Sequence, residues 1–149
     1  MRQKQQIYFE DVETGMKLPT RQRQFTRLQV FLFSAAVHQP SSQFTNPEFA
    51  RSSGLPDTVT EAPLQWSTLA SMITDWIGEE GALKKVSFQN RRMVHPTDTL
   101  TFTARVTNKY VEGGNNVVEF DLQEMNQSGQ VCVRGSAVAH LPSRPKRGR

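Results

Sequence analysis

The sequence predicts an α+β fold in which one long apolar helix packs against an antiparallel β-sheet. The first observation behind this prediction is a broad apolar face between residues 62 and 78, where large apolar side chains recur at helical spacing. The second is a series of segments after residue 84 in which apolar and polar residues alternate, as they do in half-buried strands. Because a helix this apolar has to be enclosed by other elements, the strands that follow are expected to wrap around it.

The elements begin with a short strand at residues 22–25 and a helix that starts at Thr26. Thr26 and Gln29 have the spacing of a capping box, which satisfies two backbone donors at a helix N-terminus. Apolar residues then recur at the spacing i, i+3, i+4, i+7 and i+8. They are Leu28, Phe31, Leu32, Ala35 and Ala36. This helix is expected to end near His38, because Pro40 disfavours helical geometry in the residue before it.

A second, short helix and the long third helix follow. Asn46 is a typical N-cap, Pro47 suits the first helical position, and Gly54 suits the far end. The third helix is predicted to run from residues 62–63 to residues 77–78. Its apolar face consists of Trp66, Leu69, Ala70, Ile73, Trp76 and Ile77. The two tryptophans are expected in the core or in a dimer face.

The sheet is predicted from alternating segments that are separated by turns. The turns are marked by HPTD at 95–98, GGNN at 113–116 and QSG at 127–129. Gly135 is predicted to mark a β-bulge. The predicted strands are residues 84–93, 99–106, 118–122, 131–133 and 136–141.

The chain has 149 residues and a formal charge of +4, and this charge comes from its C-terminal end. Four of the 18 Lys and Arg residues lie within residues 144–149, so the other 14 balance the 14 Asp and Glu residues. We therefore predict one domain over residues 1–142 and a basic, disordered tail over residues 143–149. Because the rest of the chain is neutral and has no basic stripe, the sequence does not indicate a nucleic-acid partner.

Several features of the sequence indicate a cytoplasmic protein without disulfides or metal. No apolar run approaches the ~20 residues of a membrane span, and the polar start has no apolar region of the kind that secretory signals carry. Cys132 is the single cysteine, and its strand-like setting is that of a packing residue rather than a nucleophile. His95 and His140 belong to no metal-ligand spacing.

Four short motifs carry a family resemblance: NPEFAR at 46–51, GLP at 54–56, TDW at 74–76 and VHPTDTL at 94–100. Together they resemble the MaoC-like (R)-specific enoyl-CoA hydratases and 3-hydroxyacyl thioester dehydratases. The resemblance extends over residues 8–142. It implies the hotdog fold, in which a curved antiparallel sheet wraps a long central helix, and a dimer with the acyl site between its protomers.

The catalytic positions of that family are altered in this sequence. Carried over by position, Gln39 stands in place of the catalytic aspartate, Phe44 in place of the catalytic histidine, and His38 in place of a glycine. Neither an amide nor a phenyl ring can move a proton near neutral pH, and losing one general acid–base group costs ~10²–10⁴ in rate. We therefore predict that the catalytic dyad is lost. His38 is either a substitute proton carrier or a polar residue at a helix end, where the dipole favours His⁺.

The resemblance also implies which residues border the acyl thioester. The expected substrate-binding positions are Ser41, Asn46, Ala62, Pro63 and Trp66. At the start of the central helix, the Ala62 N–H can contact a thioester carbonyl, whereas Pro63 has no N–H to donate. Glu61 precedes this helix, where it is either a carboxylate that matches the helix dipole or a water-activating base, as in hotdog thioesterases.

Three functions remain open on the sequence alone. The altered dyad favours a non-catalytic partner of an active hydratase protomer, in a homodimer or heterodimer that binds acyl-CoA or acyl carrier protein. The alternatives are a thioesterase that uses Glu61 and a non-enzymatic acyl-CoA-binding module. If the chain is itself active in the family's reaction, it is a lyase. The resemblance implies no resident cofactor, because coenzyme A or phosphopantetheine arrives with the substrate.

Overall fold

The chain forms a five-stranded sheet and four α-helices in this computed structural model, which describes residues 6–145. The helices are α1 (Arg27–Ala36), α2 (Ser42–Thr45), α3 (Pro47–Ser52) and α4 (Ala62–Ile77). The strands are β1 (Arg21–Arg23), β2 (Ala82–Asn90), β3 (Leu100–Glu112), β4 (Asn115–Met125) and β5 (Val131–His140). A single 3₁₀ turn, Phe9–Asp11, precedes them.

The sheet has the strand order β1-β3-β4-β5-β2, and all neighbouring strands are antiparallel. The helix α4 packs on this sheet, with contacts to β2, β3, β4 and β5. Trp76 of α4 meets Phe120 of β4 edge to face, with ring centroids 5.7 Å apart. Burying each large apolar side chain of this core contributes roughly 1.5–3 kcal/mol. The predicted α+β class, with a long helix on an antiparallel sheet, is therefore confirmed.

The predicted starts of α1 and α3 are confirmed by their capping hydrogen bonds. Thr26 Oγ1 accepts from the Gln29 N–H at 3.1 Å, and Gln29 Oε1 accepts from the Thr26 N–H at 2.9 Å, so the capping box is complete. Asn46 Oδ1 accepts from the first backbone N–H groups of α3. The four-residue helix α2 was not predicted, because a single turn is too short to show a periodic pattern.

The strands β3, β4 and β5 are longer than the alternation predicted, and the sheet has fewer strands than predicted. Residues 131–133 and 136–141 form one strand, β5, and the bulge predicted at Gly135 is wrong, since Gly135 pairs in register with Phe88 and Leu122. Gly135 is needed for space instead. A Cβ at this position would lie 2.7 Å from the Ser87 carbonyl oxygen and 2.8 Å from Phe88 Cδ1.

The apolar face that predicted α1 is not the face that α1 buries. Val30 and Ser34, one turn apart, are fully buried, whereas Leu28, Phe31 and Leu32 are 65%, 50% and 56% exposed. Helical periodicity predicts that a helix forms, but the elements that pack on it decide which side is covered.

The structure describes only part of the predicted C-terminal tail. Residues 143–145 lie beside the 3₁₀ turn, where the Arg144 N–H donates to Glu10 Oε2 at 3.0 Å and the Arg144 side chain forms an ion pair with Asp11. Residues 146–149 lie outside the described residues, so the predicted tail and the domain boundary after residue 142 stay predictions. Within residues 6–145, no helix is both long and apolar enough to cross a membrane.

Candidate functional site

A cavity of about 410 Å³ lies at the N-terminal end of α4. Its walls come from α2, from the stretch that leads into α4 and from the stretch that follows β2. Backbone hydrogen bonds hold these segments together, since the Val59 N–H donates to Gln43 O at 3.0 Å and the Thr60 N–H donates to Val94 O at 2.7 Å. The lining residues are Phe44, Val59, Thr60, Glu61, Ala62, Gln65, Asn90, Arg91, Arg92, Met93 and Val94.

Glu61 places a buried carboxylate at the wall of this cavity. It is the N-cap residue of α4 and is 5% exposed, but its side chain makes no capping hydrogen bond. Instead, Ser34 Oγ of α1 donates to Glu61 Oε1. The other oxygen, Oε2, has no hydrogen-bond partner among residues 6–145. A carboxylate with one oxygen held and one oxygen free can orient a water molecule or accept a proton.

Ser34 is a residue of this site that the sequence analysis missed. It is fully buried on the same side of α1 as Val30. A serine inside a helix ordinarily points to solvent or bonds to its own backbone, so nothing in the local sequence sets it apart. The one available signal was a lone polar residue in the otherwise apolar stretch 30–37.

The chain as a whole is similar to solved structures of known proteins. The R-hydratase PhaJ1 from Pseudomonas aeruginosa matches with a TM-score of 0.83 and 18% identity, covering 97% of this chain and 93% of that chain. The MaoC-like dehydratase from Rhodospirillum rubrum matches with a TM-score of 0.79 and 16% identity, covering 93% and 99%. The chain has the MaoC-like hotdog fold.

A third solved structure that is similar to this chain is the ChsH1-ChsH2 complex from Mycobacterium tuberculosis. It matches with a TM-score of 0.76 and 17% identity, covering 87% of this chain and 98% of that chain. No protein-family model and no curated protein sequence matches this chain. The predicted hotdog fold is confirmed, whereas the chemistry has to be argued from the side chains of this chain, because one fold hosts many functions.

The two positions that the family resemblance assigns to a catalytic dyad lie in different parts of the MaoC-like hotdog fold. Phe44 is half-buried in α2 and lines the cavity. Gln39 and His38 lie in the exposed segment after α1 and are not among the described residues that line it. His38 has a φ of 56°, a left-handed conformation that turns the chain out of α1. The loss of the dyad and a role for His38 as a proton carrier stay predictions.

Two of the predicted substrate-binding residues lie at the starts of short helices. The carbonyl oxygen of Ser41 accepts from the Phe44 N–H at 3.0 Å, in the single turn of α2. Asn46 Oδ1 accepts from the Glu48 and Phe49 N–H groups at 3.0 and 3.1 Å, so this side chain is occupied in capping α3. Neither Ser41 nor Asn46 is among the described residues that line the cavity.

The other predicted substrate-binding residues lie on α4. Ala62 lines the cavity, whereas Pro63 is exposed and lies outside the lining that the described residues form. Trp66 stacks on Phe88 with ring centroids 5.6 Å apart, and its Nε1–H donates to Asn90 Oδ1 at 3.0 Å. Because Asn90 lines the cavity, Trp66 supports the wall through it.

The remaining nucleophile and metal-ligand types form no site in the part of the chain that the structure describes. Cys132 is buried in β5, and burial raises the pKa of its thiol to about 11, which disfavours the reactive thiolate. His95 is bound to the loop before α4, with Nδ1 2.8 Å from Thr58 O. Within residues 6–145, no group of three or more His, Cys, Asp or Glu residues could hold a metal ion.

Proposed function

We propose that this chain binds acyl thioesters in the cavity at the start of α4 and does not supply a hydratase dyad of its own. The observation that best supports this function is the position of Phe44. Its phenyl ring, which cannot carry a proton, lines the cavity at the position where the family resemblance implies a histidine. The cavity volume of about 410 Å³ also lies within the range of small-molecule sites.

The first turn of α4 suits a thioester carbonyl. The first N–H groups of a helix have no intrahelical partner, and the helix N-terminus carries a partial positive charge. Ala62, which lines the cavity, supplies such an N–H group, whereas Pro63 supplies none. Phe44, Met93 and Val94 add apolar surface for the acyl chain.

A partner protomer would complete the open edge of the sheet. The nine-residue strand β2 is last in the strand order and pairs with β5 alone among the described strands. An unpaired edge of this length is a liability that proteins normally cover. We propose that the partner is a second copy or an intact MaoC-like subunit. The similarity to ChsH1-ChsH2, a complex of two different proteins, supports the second arrangement.

The test is to titrate the purified chain with crotonyl-CoA and longer trans-2-enoyl-CoA thioesters and to assay hydration. We expect binding by calorimetry and, for the chain alone, hydration at least ~10²-fold slower than that of an intact MaoC-like hydratase. The matched variant is Gln39→Asp/Phe44→His, which puts ionisable groups back at both positions. Hydration by the unmodified chain at the rate of an intact hydratase would contradict the proposal, and so would an absence of binding.

The free oxygen of Glu61 supports a second candidate function, hydrolysis of the thioester. In this reaction Glu61 takes a proton from water while the water oxygen bonds to the thioester carbon. The C–S bond then breaks, and the proton passes to the departing thiolate, giving a free acid and a thiol. Release of thiol from acyl-CoA by the chain alone, lost in Glu61→Gln, is the expected result. Unchanged release in that variant would exclude Glu61 as the base.

A further inference from the structure

Two arginine side chains line the cavity without pairing to an acidic side chain among the described residues, although Glu61 also lines it. Arg91 and Arg92 follow β2, and both are exposed. Their backbone N–H groups donate to the same carbonyl oxygen, that of Cys132, at 2.7 and 3.3 Å, which holds this stretch against the start of β5. Neither guanidinium forms a hydrogen bond or an ion pair with a residue in 6–145. Other arginines of the chain do pair with aspartates, namely Arg21, Arg27 and Arg144.

We propose that Arg91 and Arg92 bind the phosphate groups of a coenzyme A thioester whose acyl part lies in the cavity. This inference rests on the proposed acyl-thioester function and names the carrier that delivers the acyl group. A guanidinium group binds phosphate through paired N–H donors and stays charged at every physiological pH. In coenzyme A, the pantetheine arm separates the thioester from the phosphates. Phosphates outside the cavity would therefore meet cations at its border.

The distribution of charge favours coenzyme A over an acyl carrier protein. A protein partner is recognised over a face on the order of 800 Å² per partner. Here the cations that line the cavity are two adjacent residues, Arg91 and Arg92, and the chain outside its C-terminal end is neutral overall. Two neighbouring guanidinium groups match a compact polyphosphate, whereas a carrier protein would require positive charge spread over a wide surface.

The experiment uses the full chain and two non-hydrolysable thioethers, S-hexyl-CoA and S-hexyl-pantetheine. They differ only in the phosphorylated nucleotide part. For Arg91→Ser/Arg92→Ser, we expect the Kd of S-hexyl-CoA to rise roughly ten- to hundredfold, because charge-assisted hydrogen bonds to phosphate are lost. The Kd of S-hexyl-pantetheine should change less than about twofold, because this ligand carries no phosphate.

The matched control is Arg105→Ser/Arg134→Ser. It removes the same two charges from exposed strand positions that are not among the described lining residues of this cavity. We expect both Kd values of this control to stay within about twofold of the unmodified chain, because distant exposed charges are screened.

Three results would overturn the inference. The first is an equal S-hexyl-CoA affinity for the unmodified chain and Arg91→Ser/Arg92→Ser. The second is tighter binding of a hexyl-loaded acyl carrier protein than of S-hexyl-CoA, weakened by the same variant, since the two arginines would then serve a protein surface. The third is equal affinity of the unmodified chain for both thioethers, which leaves the proposed acyl function intact. If neither thioether binds the unmodified chain, the acyl function itself fails.

Discussion

Two buried glutamates of this fold lie in opposite environments. Glu61, at the start of α4, lines a cavity and accepts a hydrogen bond from Ser34. Glu124, in β4, is fully buried, and neither of its carboxylate oxygens has a hydrogen-bond partner within residues 6–145. Burial raises the pKa of Glu124 to about 8. At neutral pH this side chain is therefore mainly a protonated acid in an apolar setting.

The difference shows that burial alone does not make a carboxylate useful. Glu61 has a hydroxyl donor, a helix N-terminus and an adjoining cavity, which together place a carboxylate beside a space that a substrate can enter. Glu124 has none of these among the described residues, and its charge would also face the buried Cys132, whose thiol pKa it helps to raise. The surroundings of Glu61 therefore suit a role in catalysis, whereas the surroundings of Glu124 make a charged carboxylate destabilising.

The largest expected effect is on thiol release from acyl-CoA, and it tests the difference between Glu61 and Glu124. Glu61→Gln and Glu124→Gln make the same chemical change at the two positions. We expect any thiol release from acyl-CoA to fall by ~10²–10⁴ in Glu61→Gln, because the general base is removed, and to stay within about threefold in Glu124→Gln. Steady-state release of thiol, followed with a chromogenic disulfide, measures both. Equal losses of thiol release in the two variants would contradict the proposed difference between Glu61 and Glu124.

The second effect is on stability and its dependence on pH. The folded-state pKa of Glu124, about 8, lies above the ordinary value of 4.5, so the folded state binds the proton more tightly. Its stabilising contribution is present below pH 4.5 and is lost as the pH rises towards and through 8. The unfolding free energy of Glu124→Gln should therefore exceed that of the unmodified chain by about 5 kcal/mol at pH 9, by about 3 kcal/mol at pH 7 and by little at pH 4.5.

Urea unfolding at pH 4.5, 7 and 9 measures this difference, with Glu61→Gln as the matched control. A gain for Glu124→Gln that is the same at all three values would mean that Glu124 does not titrate in this range in the folded protein.

The smallest expected effect is on stability when the Ser34 hydroxyl is removed. Among the described residues, this hydroxyl gives Glu61 a hydrogen-bond donor that Glu124 lacks. Ser34→Ala removes the donor to Glu61 Oε1 and leaves that buried oxygen without its partner. We expect a loss of about 1–3 kcal/mol in unfolding free energy. Ser67→Ala is the control, because Ser67 is exposed and, among the described residues, its hydroxyl bonds only to the Leu64 carbonyl one turn earlier. A loss in Ser34→Ala no larger than that of Ser67→Ala would remove Ser34 from the site.

Much of the fold could be predicted because its signals are local. The capping box of Thr26 and Gln29 and the cap at Asn46 each involve residues within one helical turn. The alternation at residues 99–106 likewise reports one strand with one buried face. The candidate site was predicted in part, since Phe44, Glu61 and Ala62 meet at one cavity, whereas Gln39 and His38 lie apart from it.

The features that the sequence could not predict depend on contacts between residues that are far apart along the chain. Ser34 and Glu61 are separated by 27 residues, and Glu124 continues the buried side of β4 without any break in the pattern. The sequence predicts a bulge at Gly135, whereas the close approach of Phe88 that requires a glycine there arises only in the folded sheet.

The sequence by itself determined where α1, α3 and α4 begin. It also determined which side chains stand at the positions that the family resemblance assigns to a dyad, because capping, turn chemistry and residue identity are local properties. The tertiary structure alone decided that α1 buries Val30 and Ser34 rather than its broad apolar face. It also decided which carboxylate borders a cavity and which is enclosed in the sheet. Burial and hydrogen-bond partners are set by the packing of distant segments, and no residue carries that information alone.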